Sequence, residues 1–183
     1  MAGDKYLRAT VRRILKASAE EVFAYWTEAK KLKVWLGLTN VEVDARVGGR
    51  FQFQLEERDL DPGVHRMWGE YRILETSRIV SSWIYEPPCG EVRKAELTVE
   101  IKDLTPGLVQ LTVSDEDPCH LNRHERTFSR LQWSLATGSL EQVMDLDRQF
   151  GEGQWYRHLP QSGCPVRRTT PYGLIYFELH EIN

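Results

Sequence analysis

The chain has 183 residues and a mass of 21.3 kDa, room for one ordinary domain. A domain of this size buries roughly 70% of the surface its unfolded chain exposes, and needs no disulfide or structural metal to fold. Hydrophobic residues at 41% and charged residues at 28% exclude wholesale disorder, collagen and coiled coil, and the formal net charge of −3 leaves no basic footprint for nucleic acid.

No apolar run approaches the ~18 residues needed to cross a bilayer, and the start Met1-Ala2-Gly3-Asp4-Lys5 has no apolar signal-peptide core. The expectation is a cytoplasmic protein with no membrane partner. Cys89, Cys119 and Cys164 are an odd set without CxxC spacing, which reads as reduced thiols.

In chain order, Leu7, Ala9 and Val11 alternate with Arg8, Thr10 and Arg12, the period of a half-buried strand. Ser18 then caps a helix, with Glu21 placed to complete a capping box; Val22, Phe23 and Trp26 share its inner face. A second short helix holds Leu32, Trp35 and Leu36 and ends at Gly37. Alternation resumes from residue 39 to 115. Val41, Val43 and Ala45 run to a tight turn at Val47-Gly48-Gly49-Arg50, and Phe51, Phe53 and Leu55 run back. The next inward sets are Met67, Gly69, Tyr71 and Ile73, then Ile79, Ser81, Trp83 and Tyr85. Ala95, Leu97, Val99 and Ile101 follow, paired across Thr105-Pro106-Gly107 with Val109, Leu111 and Val113. Asp117-Pro118 opens a long helix to about residue 147, with Phe128, Leu131, Leu135, Leu140 and Met144 near helical spacing. Gly138 weakens that helix and lets a strand approach closely. Residues 1–150 read as one domain; 151–183 form an extension in which Leu174-Ile175-Tyr176-Phe177 looks strand-like.

One strand, two short helices, six strands and one long helix is an α+β order whose helices are not parallel-sheet crossovers. It predicts a bent antiparallel sheet of about seven strands wrapped around the long helix. Where the two layers do not touch, an apolar cavity remains as the default ligand site.

The order resembles the helix-grip, START-like or SRPBCC superfamily, and within it the branch named for the activator of heat shock protein 90 ATPase. The likeness is carried by Ala17-Ser18-Ala19-Glu20-Glu21-Val22-Phe23, by Leu32 with Trp35, and by Val47-Gly48-Gly49-Arg50-Phe51. It continues through Trp68-Gly69-Glu70-Tyr71-Arg72-Ile73-Leu74-Glu75 and Arg78-Ile79-Val80-Ser81-Ser82-Trp83, and closes with Trp133 and Leu140. The resemblance implies a ligand seat between the long helix and the sheet. The stretch from 151 to 183 lies beyond the span it covers.

The ligand-binding candidates are Phe51, Phe53, Met67, Tyr71, Ser81, Trp83 and Tyr85 on the strands, with His124, Phe128 and Leu131 on the long helix. Each aromatic also has a plain role in core packing. Together they form an apolar lining in which buried phenols need partners. His120 and His124 share a helix face with Cys119 or Asp117 nearby, but Phe128 stands where a metalloprotease histidine belongs, and no metal or cofactor is assigned. No nucleophile motif, phosphate loop or dinucleotide fingerprint occurs, so no catalytic residue is assigned. The expected function is non-catalytic binding of a small apolar or aromatic ligand. The alternatives are a polyketide cyclase or dehydratase-like enzyme using Tyr71, Tyr85 or His124, and a chaperone-associated interaction module; a homodimer through the extension is a further expectation.

Overall fold

The computed structural model describes residues 8–57, 62–116 and 123–154, with the side chains of 123–129 excepted. The elements run β1 (Arg8–Leu15), α1 (Ala19–Thr27), α2 (Ala29–Trp35), β2 (Asn40–Val43), β3 (Arg50–Glu57), β4 (Gly63–Glu75), β5 (Arg78–Glu86), β6 (Arg93–Thr105), β7 (Leu108–Glu116) and α3 (Arg123–Phe150). This is the expected order. The strands form one antiparallel sheet in the order β1-β7-β6-β5-β4-β3-β2. Pairing the first strand with the last carries α1–α2 from one sheet edge to the other, so both helices and α3 share the inner face in a helix-grip fold.

Inward parity follows the sequence on β3, β5, β6 and β7. Phe51, Phe53, Ile79, Trp83, Val99 and Leu111 are all buried, because a period of two puts every second side chain on one face. On β4 the parity changes. Tyr71 faces Ser81, but Ile73 faces Val80 and Leu74 faces Ile79, so a β-bulge lies at Arg72. The extra residue turns Leu74, rather than Ile73, toward the core. The β2–β3 connection is also wider than the expected tight turn. Pairing stops at Val43 with Phe51, and residues 44–49 fold back through bonds from Arg46 N to Asp44 O and from Gly49 N to Arg46 O. A Cβ on Gly49 would stand 2.0 Å from Asp44 O, so only glycine closes this loop.

Ser18 Oγ accepts from Glu21 N at 3.1 Å, as a capping residue should. The Glu21 carboxylate does not complete the box; it pairs with Arg148 on α3 at 3.1 Å. Trp35 Nε1 donates to Tyr25 O at 2.7 Å, and Ser139 Oγ donates to Trp35 O at 3.1 Å, tying α2 to α1 and α3. At the end of α3, Tyr25 Oη donates to Asp147 at 2.5 Å.

The inner face of α3 is Trp133, Ala136, Leu140, Val143 and Met144. Leu131 is not on it and is 51% exposed. Two residues at 3.6 per turn place it about 200° around the helix from Trp133, so its expected ligand contact is corrected. Gly138 sits where Arg13 of β1 crosses the helix. Arg13 donates to Thr137 Oγ1 at 3.2 Å, Ser134 O at 3.1 Å and Glu141 at 2.8 Å; a Cβ on Gly138 would meet only the Arg13 side chain, at an ordinary 3.5 Å, so the approach does not require glycine there. The Asp117-Pro118 helix start, the Cys119–His120 segment and Leu174–Phe177 lie outside the described residues, as do the side chains of His124 and Phe128.

Candidate functional site

The sheet, α3 and the α1–α2 pair meet around an apolar hollow. The sheet contributes Phe51 and Phe53 from β3, Tyr71 from β4, and Ile79, Ser81 and Trp83 from β5, with Leu97 and Val99 from β6. Trp26 of α1, Leu32 of α2, Leu36 and Trp133 of α3 close it from above. Five of the expected residues therefore meet at one place: Phe51, Phe53, Tyr71, Ser81 and Trp83.

Their rings form a continuous chain. Trp35 contacts Trp26 with centroids 4.9 Å apart, Trp26 stacks on Trp133 at 6.2 Å, and Trp133 meets Trp83 edge-on at 5.8 Å. Phe51 joins Trp83 at 5.5 Å, Tyr71 at 5.2 Å and Phe53 at 4.9 Å. Gly69 makes room for this cluster, since a Cβ there would stand 2.6 Å from Phe51 Cζ and 1.9 Å from Ser82 O.

The hollow is nearly filled. Its volume is about 20 Å³, against roughly 10–15 Å³ for one water and about 150 Å³ for a cavity that binds benzene. An aromatic occupant therefore enters only if the rings part. Its chemistry is plain from its lining: among the described residues, no acid, base or cation borders it. Burial pushes the Tyr71 phenol above its ordinary pKa, keeping it protonated.

Met67 and Tyr85 are buried on the same face but lie farther along their strands and do not line the hollow. Tyr85 Oη is 2.7 Å from His65 Nδ1, both side chains being buried. The buried phenol of Tyr85 thus has the partner that burial demands. The tryptophan contributions of α1 and α3 went unassigned from sequence. The run Trp133, Ala136, Leu140, Met144 carries a helical spacing that points to them. Asp115 is buried beside the same ring, accepting from Trp133 Nε1 at 3.3 Å.

A second, larger space of about 230 Å³ opens at the surface where β1 and β7 approach the end of α3, between Ile14, Leu108 and Met144. Ion pairs rim it: Arg148 with Asp145 at 2.8 Å and Glu141 with Arg13 at 2.8 Å. Among the described residues, no group of three or more His, Cys, Asp or Glu is placed to hold a metal, and no helix is long and apolar enough to cross a membrane.

Fold and hollow together define an SRPBCC-type helix-grip protein. The chain belongs to the family of Activator of Hsp90 ATPase homolog 1-like proteins, whose model matches residues 16–145. Among solved structures, a protein from Nitrosomonas europaea is 20% identical with a TM-score of 0.63, covering 80% of this chain and 99% of that one. A putative uncharacterized protein from Rhizobium leguminosarum is 19% identical with a TM-score of 0.61, covering 76% and 94%. A Chromobacterium violaceum protein is 21% identical with a TM-score of 0.60, covering 75% and 96%. At these identities the likeness is one of fold. No curated protein matches the chain.

Proposed function

We propose that this chain binds a small, largely apolar molecule between α3 and the sheet without converting it. The observation that carries this reading is the buried aromatic lining of the hollow. Apolar walls gain roughly 25 cal/mol for each Å² of ligand surface they remove from water. Among the described residues that border it there is no carboxylate, imidazole or amine, and the Tyr71 phenol is the one titratable group. The occupant enters by parting the α1–α2 wall, where Trp26, Leu32 and Leu36 sit, from Trp133 and Trp83.

Three buried tryptophans border the hollow and report on its occupancy: Trp26, Trp83 and Trp133. Titration with sterols, flavonoids, long-chain lipids and small arenes, read by thermal shift and tryptophan emission, tests the reading. Stabilisation together with altered emission supports it. A panel that moves neither signal contradicts it.

The His65–Tyr85 contact favours a second, enzymatic reading, because an imidazole hydrogen-bonded to a phenol can relay a proton. It sits apart from the hollow, so it serves catalysis only if substrate reaches the far end of β4 and β5. Tyr85→Phe that leaves turnover of a converted panel compound unchanged removes that reading.

A further inference from the structure

The wall of the hollow is almost wholly apolar, and among the described residues no charged side chain borders it. The Trp26 ring borders it, is 5% exposed, and its Nε1–H has no acceptor among the described residues. On the sheet side, Tyr71 and Ser81 are direct cross-strand partners, are buried, and border the same space. An indole N–H buried without an acceptor weakens an equilibrium by about ten- to a hundredfold, and an acceptor brought by an occupant removes that penalty. An ionised group entering the same space loses its hydration, and no described residue of the lining carries a counter-charge to replace it.

We propose that the ligand of the hollow is an uncharged molecule bearing a carbonyl-type oxygen, held by the Trp26 indole N–H and by the adjacent hydroxyls of Tyr71 and Ser81. The inference rests on the binding reading above and names the ligand class for that site. Ketones, esters and amides on a flat apolar frame fit it. Free fatty acids and phosphorylated lipids do not, because their charged groups meet no cation among the described residues.

The test compares acetophenone, isopropylbenzene of nearly the same shape, and benzoate, on wild-type protein and on Trp26→Phe. Wild type is expected to bind acetophenone and isopropylbenzene, and benzoate at least about a hundredfold more weakly than acetophenone. Trp26→Phe is expected to weaken acetophenone about tenfold while isopropylbenzene changes by less than about twofold. In wild type, the Trp26 indole N–H resonance should shift with acetophenone and stay in place with isopropylbenzene. That measurement decides the matter if the variant does not fold. Binding of isopropylbenzene, with acetophenone insensitive to Trp26→Phe and the indole N–H unmoved, overturns the ligand class and leaves the binding reading intact. Benzoate binding as tightly as acetophenone also overturns the class. Failure of both neutral probes to bind wild type overturns the binding reading and the class with it.

Discussion

Leu97→Ala tests whether the hollow is the seat of an expandable site. Leu97 lies in the centre of β6, 3% exposed, with Ser81 and Asp115 as its cross-strand neighbours. Its side chain forms part of the wall of the 20 Å³ space, so truncation enlarges a void that already exists. Buried Leu→Ala changes cost about 2.7–5 kcal/mol, more where the surroundings cannot collapse. Strands fixed on both sides resist collapse, and the expected loss is about 4 kcal/mol. At roughly 2–4 °C per kcal/mol for a chain of this length, the melting temperature falls by about 8–16 °C. Benzene at a hundred times its dissociation constant should then return about 2.7 kcal/mol to the variant. Calorimetry with and without benzene reads both numbers. A loss below about 1 kcal/mol, or a variant that benzene does not stabilise, refutes the reasoning.

Three further outcomes are expected. Gly138→Ala should stabilise the protein by about 0.5–1 kcal/mol in urea unfolding, because the new Cβ meets Arg13 Nη2 at an ordinary 3.5 Å and the helix loses a glycine; a loss of stability means that β1 packs too tightly there. Gly69→Ala should cost about 3 kcal/mol or more by the same assay, since its Cβ meets a backbone oxygen at 1.9 Å; a neutral result contradicts the packing of Phe51 over the strand. Burial raises the pKa of Tyr25 and Tyr71, and the hydrogen bond and charge of Asp147 raise Tyr25 further, so both phenols stay protonated in the fold after unfolded tyrosine ionises near 10.0. Their stabilisation is complete below about pH 10 and is lost as pH rises toward their folded values, at about 1.4 kcal/mol per pH unit for each. Tyr71→Phe should make that alkaline decline shallower by one such increment between about pH 10 and 12; an unchanged slope contradicts the burial of its hydroxyl.

The sheet was legible because alternation is a strong signal wherever one face is buried, as Phe51, Phe53, Ile79 and Trp83 show. It failed at Ile73 and Leu74, where a bulge at Arg72 swaps two apolar residues of equal character and leaves no trace in the pattern. The face of α3 was harder to read. Leu131 and Leu135 imitate a helical stripe, while the true one runs through Trp133, Ala136 and Leu140, chosen by the crossing of Arg13 at Gly138. Glu21 has the spacing of a capping box, yet Arg148, 127 residues away in sequence, offers it a charged partner. A small hollow does lie between helix and sheet, but its size was not legible. Filling depends on how the rings of Trp26 and Trp35 fold in from α1–α2, a contact between elements distant in sequence.

Intermolecular NOEs in a methyl-labelled sample saturated with acetophenone address the ligand seat itself. Cross-peaks from the probe to the methyls of Leu36, Leu97 and Val99 are the expected result, since these methyls face the enclosed space. Cross-peaks confined to Ile14 and Leu108 at the surface cleft, with those interior methyls silent, would contradict the account.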